Sequence, residues 1–327
     1  MMNKLSLAEL ASSLKLNKNF LIFCHKNPDP DTLGSAYALK CVLEALGAKA
    51  RVACCDRPNP KFNFITLGED LTLDFDISDY ERVIAIDVGS AVQLGDYSRF
   101  SVRVDLIIDH HEMSARFADY YEDLAPATAM IVYDIARELG LLDKLPSRFF
   151  ECVYAGLSGD TGCFKYSNTT PKALVYASEL VATGIDFASI NYAIFDAKTK
   201  GELAAQKMAL EHTEILLDGA LAVLLVTNDM KKQYGINDDD IGDIISTVRT
   251  IDGVLIAVTI KETTTQGKLS VSSRANVDID VSAICAKIGG GGHPRAAGAT
   301  ITDTETAEAV KMLKELFAEG IYNYGKQ

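Results

Sequence analysis

Tryptophan is absent from the chain, and aromatic residues make up only 8% of it. Both facts weigh against an extended stacking platform for long single strands. A basic surplus is missing too. Asp and Glu number 45 against 32 Lys and Arg, a formal net charge of −13. Proteins that grip long DNA or RNA through many phosphates carry a basic face, so no long duplex is expected as partner. Small anionic ligands need only a few cations or metal ions at one spot and stay open. No Cys-x-x-Cys pair occurs among the seven cysteines, and their odd number fits buried free thiols in a reducing compartment. The longest strongly apolar run, Ala220 to Val226, has seven residues, far short of the roughly 20 that cross a bilayer as a helix. Glu9 interrupts the N-terminal stretch, which has no apolar run of signal type. Pro-rich, Gly/Ser-rich and Gln-rich tracts are also lacking. A soluble, cytoplasmic protein without membrane contact is the expectation.

What is present supports a real core. The 327 residues are 48% apolar, enough for two ordinary domains. The first half alternates β-rich runs with helical patterns. Phe20–Cys24, Lys49–Cys54, Arg82–Asp87 and Val104–Asp109 read as strands. Ala36, Leu39, Leu43 and Leu46 repeat at helical spacing before Gly47, and further helices are expected near Thr128–Leu139 and Ser147–Leu157. This grammar predicts an α/β domain with a mainly parallel sheet over residues 1–190. A charged, mostly helical connector is placed at 191–217. A second, smaller α/β domain is placed at 218–327, with strands at Ala220–Val226, Val254–Lys261 and Lys268–Arg274 and a hairpin turn at Gln266-Gly267.

Four of the five histidines lie beside aspartate clusters or glycine runs at predicted strand ends. His212, in the connector, reads as a surface or packing residue. The first cluster, His25-Lys26-Asn27-Pro28-Asp29-Pro30-Asp31, follows the first strand. Open α/β sheets bind ligands at the carboxyl ends of their strands. One such aspartate is an ordinary helix cap, but carboxylates packed this closely repel unless a cation joins them. Asp87 ends the third strand, Asp109-His110-His111 ends the fourth, and Asp160 stands in Gly-Leu-Ser-Gly-Asp-Thr-Gly. Imidazoles and carboxylates suit Mn²⁺. A pair of ions roughly 3.5–4 Å apart would clamp the attacking and leaving oxygens of a phosphoryl displacement. In the second domain Gly289–Gly292 precede His293. Such a run brings backbone N–H groups close to an anion or simply makes a flexible turn. Arg274 closes its strand either as a bidentate phosphate contact or as an exposed strand-end charge.

These motifs, in this order, resemble the DHH phosphoesterases, in particular bacterial oligoribonucleases and phosphatases of 3′-phosphoadenosine 5′-phosphate (pAp). His25 to Asp160 is similar to the catalytic domain. Arg274 and Gly289–Gly298 are similar to the DHH-associated C-terminal domain. The resemblance implies an active site in a cleft between two α/β domains. It implies one Mn²⁺ on His25, Asp29 and Asp87 and a second on Asp31, Asp87, His110 and Asp160, with Mg²⁺ or Co²⁺ as substitutes. His111 would touch the scissile phosphate or protonate the leaving group, and Asp109 would orient its neighbours. Arg274, His293 and the glycines Gly290, Gly291 and Gly292 would hold the substrate's terminal phosphate. The implied substrates are very short RNA and pAp, with linear or cyclic dinucleotides as the alternative. A pyrophosphatase or a catalytically dead nucleotide-binding module fits less well, because the glycine-His segment and all six metal-type residues are in place. A homodimer rests on the general frequency of dimers among soluble enzymes alone. The chain departs from the family after Asp87. Relatives often carry Arg-Leu-Gly where it has Gln93-Leu94-Gly95, which removes a positive charge.

Overall fold

The computed structural model of the protein describes residues 5–325 apart from 17, 112–118, 123, 124, 243, 264 and 266. The chain divides into two compact units, Met1–Ala197 and Lys198–Gln327.

The first unit is built on strands β1 (Asn19–Phe23), β2 (Lys49–Ala53), β3 (Arg82–Ile86) and β4 (Leu106–Asp109), with a two-residue β5 (Tyr120–Tyr121) at the edge. Their order is β2-β1-β3-β4-β5 and every pairing is parallel. Between their end residues the central strands are apolar, because both faces are covered. Phe20, Ile22, Ile84, Ile86, Leu106 and Ile108 point into the main core. The alternate residues Leu21, Phe23, Val83, Ala85 and Ile107 point to the other side. There the cover is aromatic: Phe23, Phe75, Tyr97 and Phe100 pack ring against ring.

Helices α1 (Leu7–Ser13), α2 (Pro30–Ala45), the one-turn α3 (Asn63–Thr66), α4 (Thr128–Glu138), α5 (Ser147–Asp160), α6 (Pro171–Ala182) and α7 (Phe187–Asn191) complete this unit. Asp29 caps α2 through Oδ1, which accepts from the N–H groups of Asp31 and Thr32, and Pro30 occupies the first helical position. The two most intimately packed helices meet at Gly34, where a Cβ would stand 2.4 Å from the carbonyl of Cys152 on α5. Strands β1, β2 and β3 each end one residue before the sequence suggests. Asp87 explains the last case. Its φ of 59° turns the chain out of the ladder immediately after Ile86.

The second unit begins with α8 (Lys200–His212). Its sheet comprises β6 (Glu214–Leu216), β7 (Leu221–Val226), β8 (Ile256–Glu262), β9 (Lys268–Ala275), β10 (Gly291–His293) and β11 (Ala296–Thr302), in the order β10-β11-β9-β8-β7-β6. Only β7 and β8 run parallel. Helices α9 (Asn228–Tyr234), α10 (Ile244–Arg249), α11 (Val281–Ala286) and α12 (Thr306–Tyr324) surround it. Leu313 and Phe317 of α12 fill one face with Val223, Val258 and Val271. Ala205 and Met208 of α8 fill the other with Leu224 and Ala257. Two stretches differ from expectation. Glu214–Leu216, read as the end of a helical run, pairs as an edge strand with β7. Half of the glycine run is strand β10 rather than loop. The turn expected at Gln266-Gly267 includes Gln266, outside the described residues. Among the described residues no helix is long and apolar enough to cross a membrane.

Candidate metal centre

Three strands of the first unit end close together, and each delivers its polar residues just beyond its apolar stretch. His25 follows β1, Asp87 follows β3, and Asp109, His110 and His111 close β4. Asp29 and Asp31 arrive on the first turn of α2, and Asp160 is the last residue of α5. The side chains form three overlapping groups: His25 with Asp29 and Asp87, Asp31 with His110 and Asp160, and Asp87 with His110 and His111. Within each group the donor atoms lie within 4.8 Å of one another.

Asp87 is shared, and its two oxygens face different ways. Oδ2 lies 3.5 Å from His25 Nε2, while Oδ1 lies 3.6 Å from both His110 Nε2 and His111 Nδ1. Asp29 Oδ2 is 3.6 Å from His25 Nε2. Around His110 Nε2 stand Asp160 Oδ2 at 3.3 Å and Asp31 Oδ2 at 3.9 Å.

The tautomers follow from the far sides of the rings. His25 Nδ1–H donates to the carbonyl of Lys26 (2.8 Å), and His110 Nδ1–H donates to the carbonyl of Ala125 (3.0 Å). A carbonyl only accepts, so in each neutral ring the Nε2 lone pair faces carboxylate oxygens. That opposition is repulsive unless a proton or a cation lies between. Among the described residues, buried His110 Nε2 finds no hydrogen-bond partner. Metal-ligating histidines are commonly held this way, one nitrogen on a backbone carbonyl and the other on the ion.

Electrostatics agree. Burial opposes the charged form of His25, yet the bonds and charges of Asp29 and Asp87 overcome it and push the imidazole up to about 11. His110 is pushed up to about 10 against burial, by Asp160, Asp87 and Asp31. Burial raises Asp160 to about 6. Burial, then the charges of Asp87 and Asp160, raise Asp31 well above the usual carboxylate range. Asp29 moves the other way: burial is outweighed by its bond to His25, and its carboxyl is lowered. Protons are thus the counter-charges of the metal-free centre, and a divalent cation can replace them. The donor set fits such an ion.

Asp109 is fully buried. Its Oδ1 accepts from the backbone N–H of His110 and from His111 Nδ1–H, both at 2.8 Å. It therefore holds the His111 imidazole and the backbone of His110 in place. His110 and His111 have ring centroids 4.4 Å apart.

Sequence reasoning passed over Thr128. Helix α4 has Ala127 at its N-cap and no side-chain cap of its own. Asp31 serves instead. Its Oδ2 accepts from the N–H of Thr128 (2.7 Å), and its Oδ1 accepts from the N–H of Ala129 (3.0 Å) and the hydroxyl of Ser35 (3.1 Å). The Thr128 hydroxyl donates to Asp87 Oδ1 at 3.0 Å. The signal that could have found it is a helix start lacking a capping residue. Gln93 also has a role at the departure from the family pattern. Its Oε1 accepts from the N–H groups of Gly89 (2.6 Å) and Ser90 (3.1 Å), and its carbonyl accepts from Lys26 N–H (2.6 Å). The loop after Asp87 is thereby tied to the loop of His25.

In the second unit, Ala296 lies opposite both Arg274 on β9 and His293 on β10. The three form one row across the sheet, and side chains in a row leave the same face. Arg274 Nη1 donates to the carbonyl of Ser273 at 3.0 Å, and His293 is exposed. The glycines have a structural reason as well. A Cβ at Gly290 would meet the Gly298 carbonyl at 2.3 Å, and one at Gly292 would meet the Ala296 carbonyl at 2.5 Å.

Comparison with known proteins places two domain families on the chain. Residues 19–157 match the DHH family, N-terminal domain, and residues 218–319 match the DHHA1 domain. A probable bifunctional oligoribonuclease and PAP phosphatase NrnA of Streptococcus mutans is 27% identical, over 94% of this chain and 97% of its own length. An exopolyphosphatase-related protein from Bacteroides fragilis superposes with a TM-score of 0.87 at 19% identity, over 97% of this chain and 96% of that one. RecJ of Thermus thermophilus in complex with Mn²⁺ gives a TM-score of 0.53 at 15% identity, over 98% of this chain and 56% of its own. At these identities the two solved structures attest the fold.

Proposed function

We propose, from the DHH and DHHA1 domains that the chain carries, that this hydrolase is a Mn²⁺-dependent phosphoesterase that degrades very short RNA to mononucleotides and converts pAp to AMP and phosphate. The observation that carries the reading is Asp87, shared between donor groups with one oxygen turned to each. A relative over almost its whole length bears the same paired activities in its name.

In this reading His25, Asp29 and Asp87 hold one ion, and Asp31, Asp87, His110 and Asp160 hold the other. Imidazole with carboxylate is a donor set that Mn²⁺ accepts, with Mg²⁺ or Co²⁺ as replacements. Bound there, the ions supply charge neutralisation and Lewis acidity toward a phosphoryl oxygen. The protein's own groups do the rest. His111 keeps Nδ1–H on Asp109, which leaves Nε2 to address the leaving oxygen. Its pKa is raised, with the Asp109 bond and the Asp87 charge outweighing burial, so it carries the proton that a leaving alkoxide needs. Arg274 and His293, in one row of the second sheet, are assigned to the substrate's terminal phosphate together with Gly290, Gly291 and Gly292.

The test uses protein stripped with chelator and reloaded with Mn²⁺. Phosphate release from pAp and mononucleotide release from a five-residue RNA are followed beside Asp87→Ala. Both substrates should turn over, and the folded variant should lose about two to three orders of magnitude, as when a centrally placed charge stabiliser is removed. Turnover of linear dinucleotides with neither pAp nor the pentamer hydrolysed would overturn the substrate assignment.

A further inference from the structure

We propose that Thr128 is a positioning residue that fixes Asp87 against Asp31 and thereby sets how the two donor groups hold their ions; this rests on the metal-centre reading above. Thr128 is fully buried and is the first residue of α4. Its backbone N–H is taken by Asp31 Oδ2, and its hydroxyl is given to Asp87 Oδ1. One residue therefore touches a carboxylate of one group and the carboxylate shared with the other. The backbone contact is anchored at a helix start, where the free N–H groups and the helix dipole hold an anion in place. The side-chain contact adds direction. Asp87 has Oδ2 toward His25 and Oδ1 toward His110 and His111. Rotation of the carboxylate about its Cβ–Cγ bond would exchange those assignments. A hydroxyl bonded to Oδ1 alone resists that rotation.

Asp87 needs this help because its backbone gives little. It sits in the left-handed region at φ 59°, a conformation that a non-glycine residue keeps only when its surroundings impose it. Its N–H is fixed to the carbonyl of Ile108, and Thr128 fixes the other end.

Thr128→Val removes the hydroxyl while preserving shape and both backbone N–H bonds to Asp31. Thr128→Ser keeps the hydroxyl and removes the methyl. Mn²⁺ binding to the stripped proteins is measured by titration calorimetry and by electron paramagnetic resonance, with melting temperature and kcat and KM for pAp alongside. Thr128→Val should weaken Mn²⁺ binding about 10- to 100-fold, the range seen when partners of metal ligands are removed. It should also weaken the exchange-coupled signal of paired ions and lower kcat more than it changes KM. Thr128→Ser should stay within about threefold of wild type on each readout, since it retains the bond. Wild-type affinity and coupling in Thr128→Val would overturn the proposal. Equal losses in both variants would also overturn it, because packing of the methyl would then be the cause. If the wild type binds Mn²⁺ but cleaves neither pAp nor short RNA, the substrate reading fails while the binding series still decides the role of Thr128. If the wild type binds no Mn²⁺, both fall.

Discussion

Each buried carboxylate of the centre accepts from a group placed to donate to it. Asp31 receives two backbone N–H groups and a serine hydroxyl, Asp87 a threonine hydroxyl, and Asp109 a backbone N–H and an imidazole. Such partners fix position but do not cancel charge. The remaining balance is carried by protons on His25, His110 and Asp160, which gives the metal-free protein a definite pH response. His25 moves from an ordinary 6.5 to about 11. A pKa raised on folding contributes stability that is complete below the unfolded value and lost as pH climbs through the folded one. Asp160, raised to about 6 by burial, acts in the same direction at lower pH. The stripped protein should therefore melt at progressively lower temperature from pH 6.5 upward as His25 loses its proton, after a smaller loss from Asp160 between pH 3.8 and about 6. The Mn²⁺-loaded protein should gain, because the ion competes with those same protons. Calorimetry in buffers of different ionisation enthalpy should register proton release on Mn²⁺ binding near pH 7. Absence of release, or a stripped protein that grows more stable with pH, would contradict the proton-balanced centre. Gly156 tests the space around Asp31. A Cβ there would stand 2.6 Å from Asp31 Oδ1 and 2.7 Å from the Ala129 Cβ. Gly156→Ala should cost about 1–3 kcal/mol in denaturant unfolding and weaken Mn²⁺ binding. An unchanged midpoint would mean that α4 and α5 separate more readily than their packing implies.

At the scale of elements, strands that are apolar to their last residue and then turn acidic announce both the buried parallel sheet and the site. His25, Asp87 and Asp109–His111 were legible for that reason, since the carboxyl end of a buried strand is where polar residues first become affordable. Helix periodicity likewise located α2, α4 and α5. Thr128 left one local sign, a helix start without a capping residue, but its partner Asp31 lies 97 residues earlier. Long-range pairing leaves no trace in local spacing. The edge strands were hidden for a related cause. β6 and β10 are three residues each and owe their form to a neighbour's free ladder rather than to their own composition. The glycine run therefore admits two accounts that substitution separates. Gly290→Ala would drive a Cβ into the Gly298 carbonyl and should unpair β10 from β11, whereas Gly291 has no atom within 4 Å of an added Cβ. Gly291→Ala should leave stability within about 0.5 kcal/mol. If the run also approaches the substrate phosphate, the same variant should raise KM for pAp without lowering kcat. If KM is unmoved, strand pairing is the whole reason for the glycines.

For the whole molecule the decisive quantity is the net charge of −13. Each nucleotide added to an RNA brings another negative phosphate toward a surface with a deficit of cations. Under the proposed reading, affinity then comes only from the few groups assigned to phosphate. Release of counterions lowers log K by roughly 0.7 per neutralised phosphate of a single strand for each tenfold rise in salt. About three contacts would give a slope near −2, and extending the RNA should not steepen it. A true long-strand binder would instead gain contacts, affinity and slope with every added nucleotide. Competition of 3-, 5- and 20-residue RNAs against pAp hydrolysis, repeated between 50 and 300 mM salt, separates the two cases. The expected result is inhibition per molecule that is no stronger for the 20-mer than for the 5-mer, with slopes alike. A steeper slope and tighter binding for the 20-mer would reveal a basic track outweighing the acidic total. The proposed preference for very short RNA would then need a steric rather than an electrostatic cause.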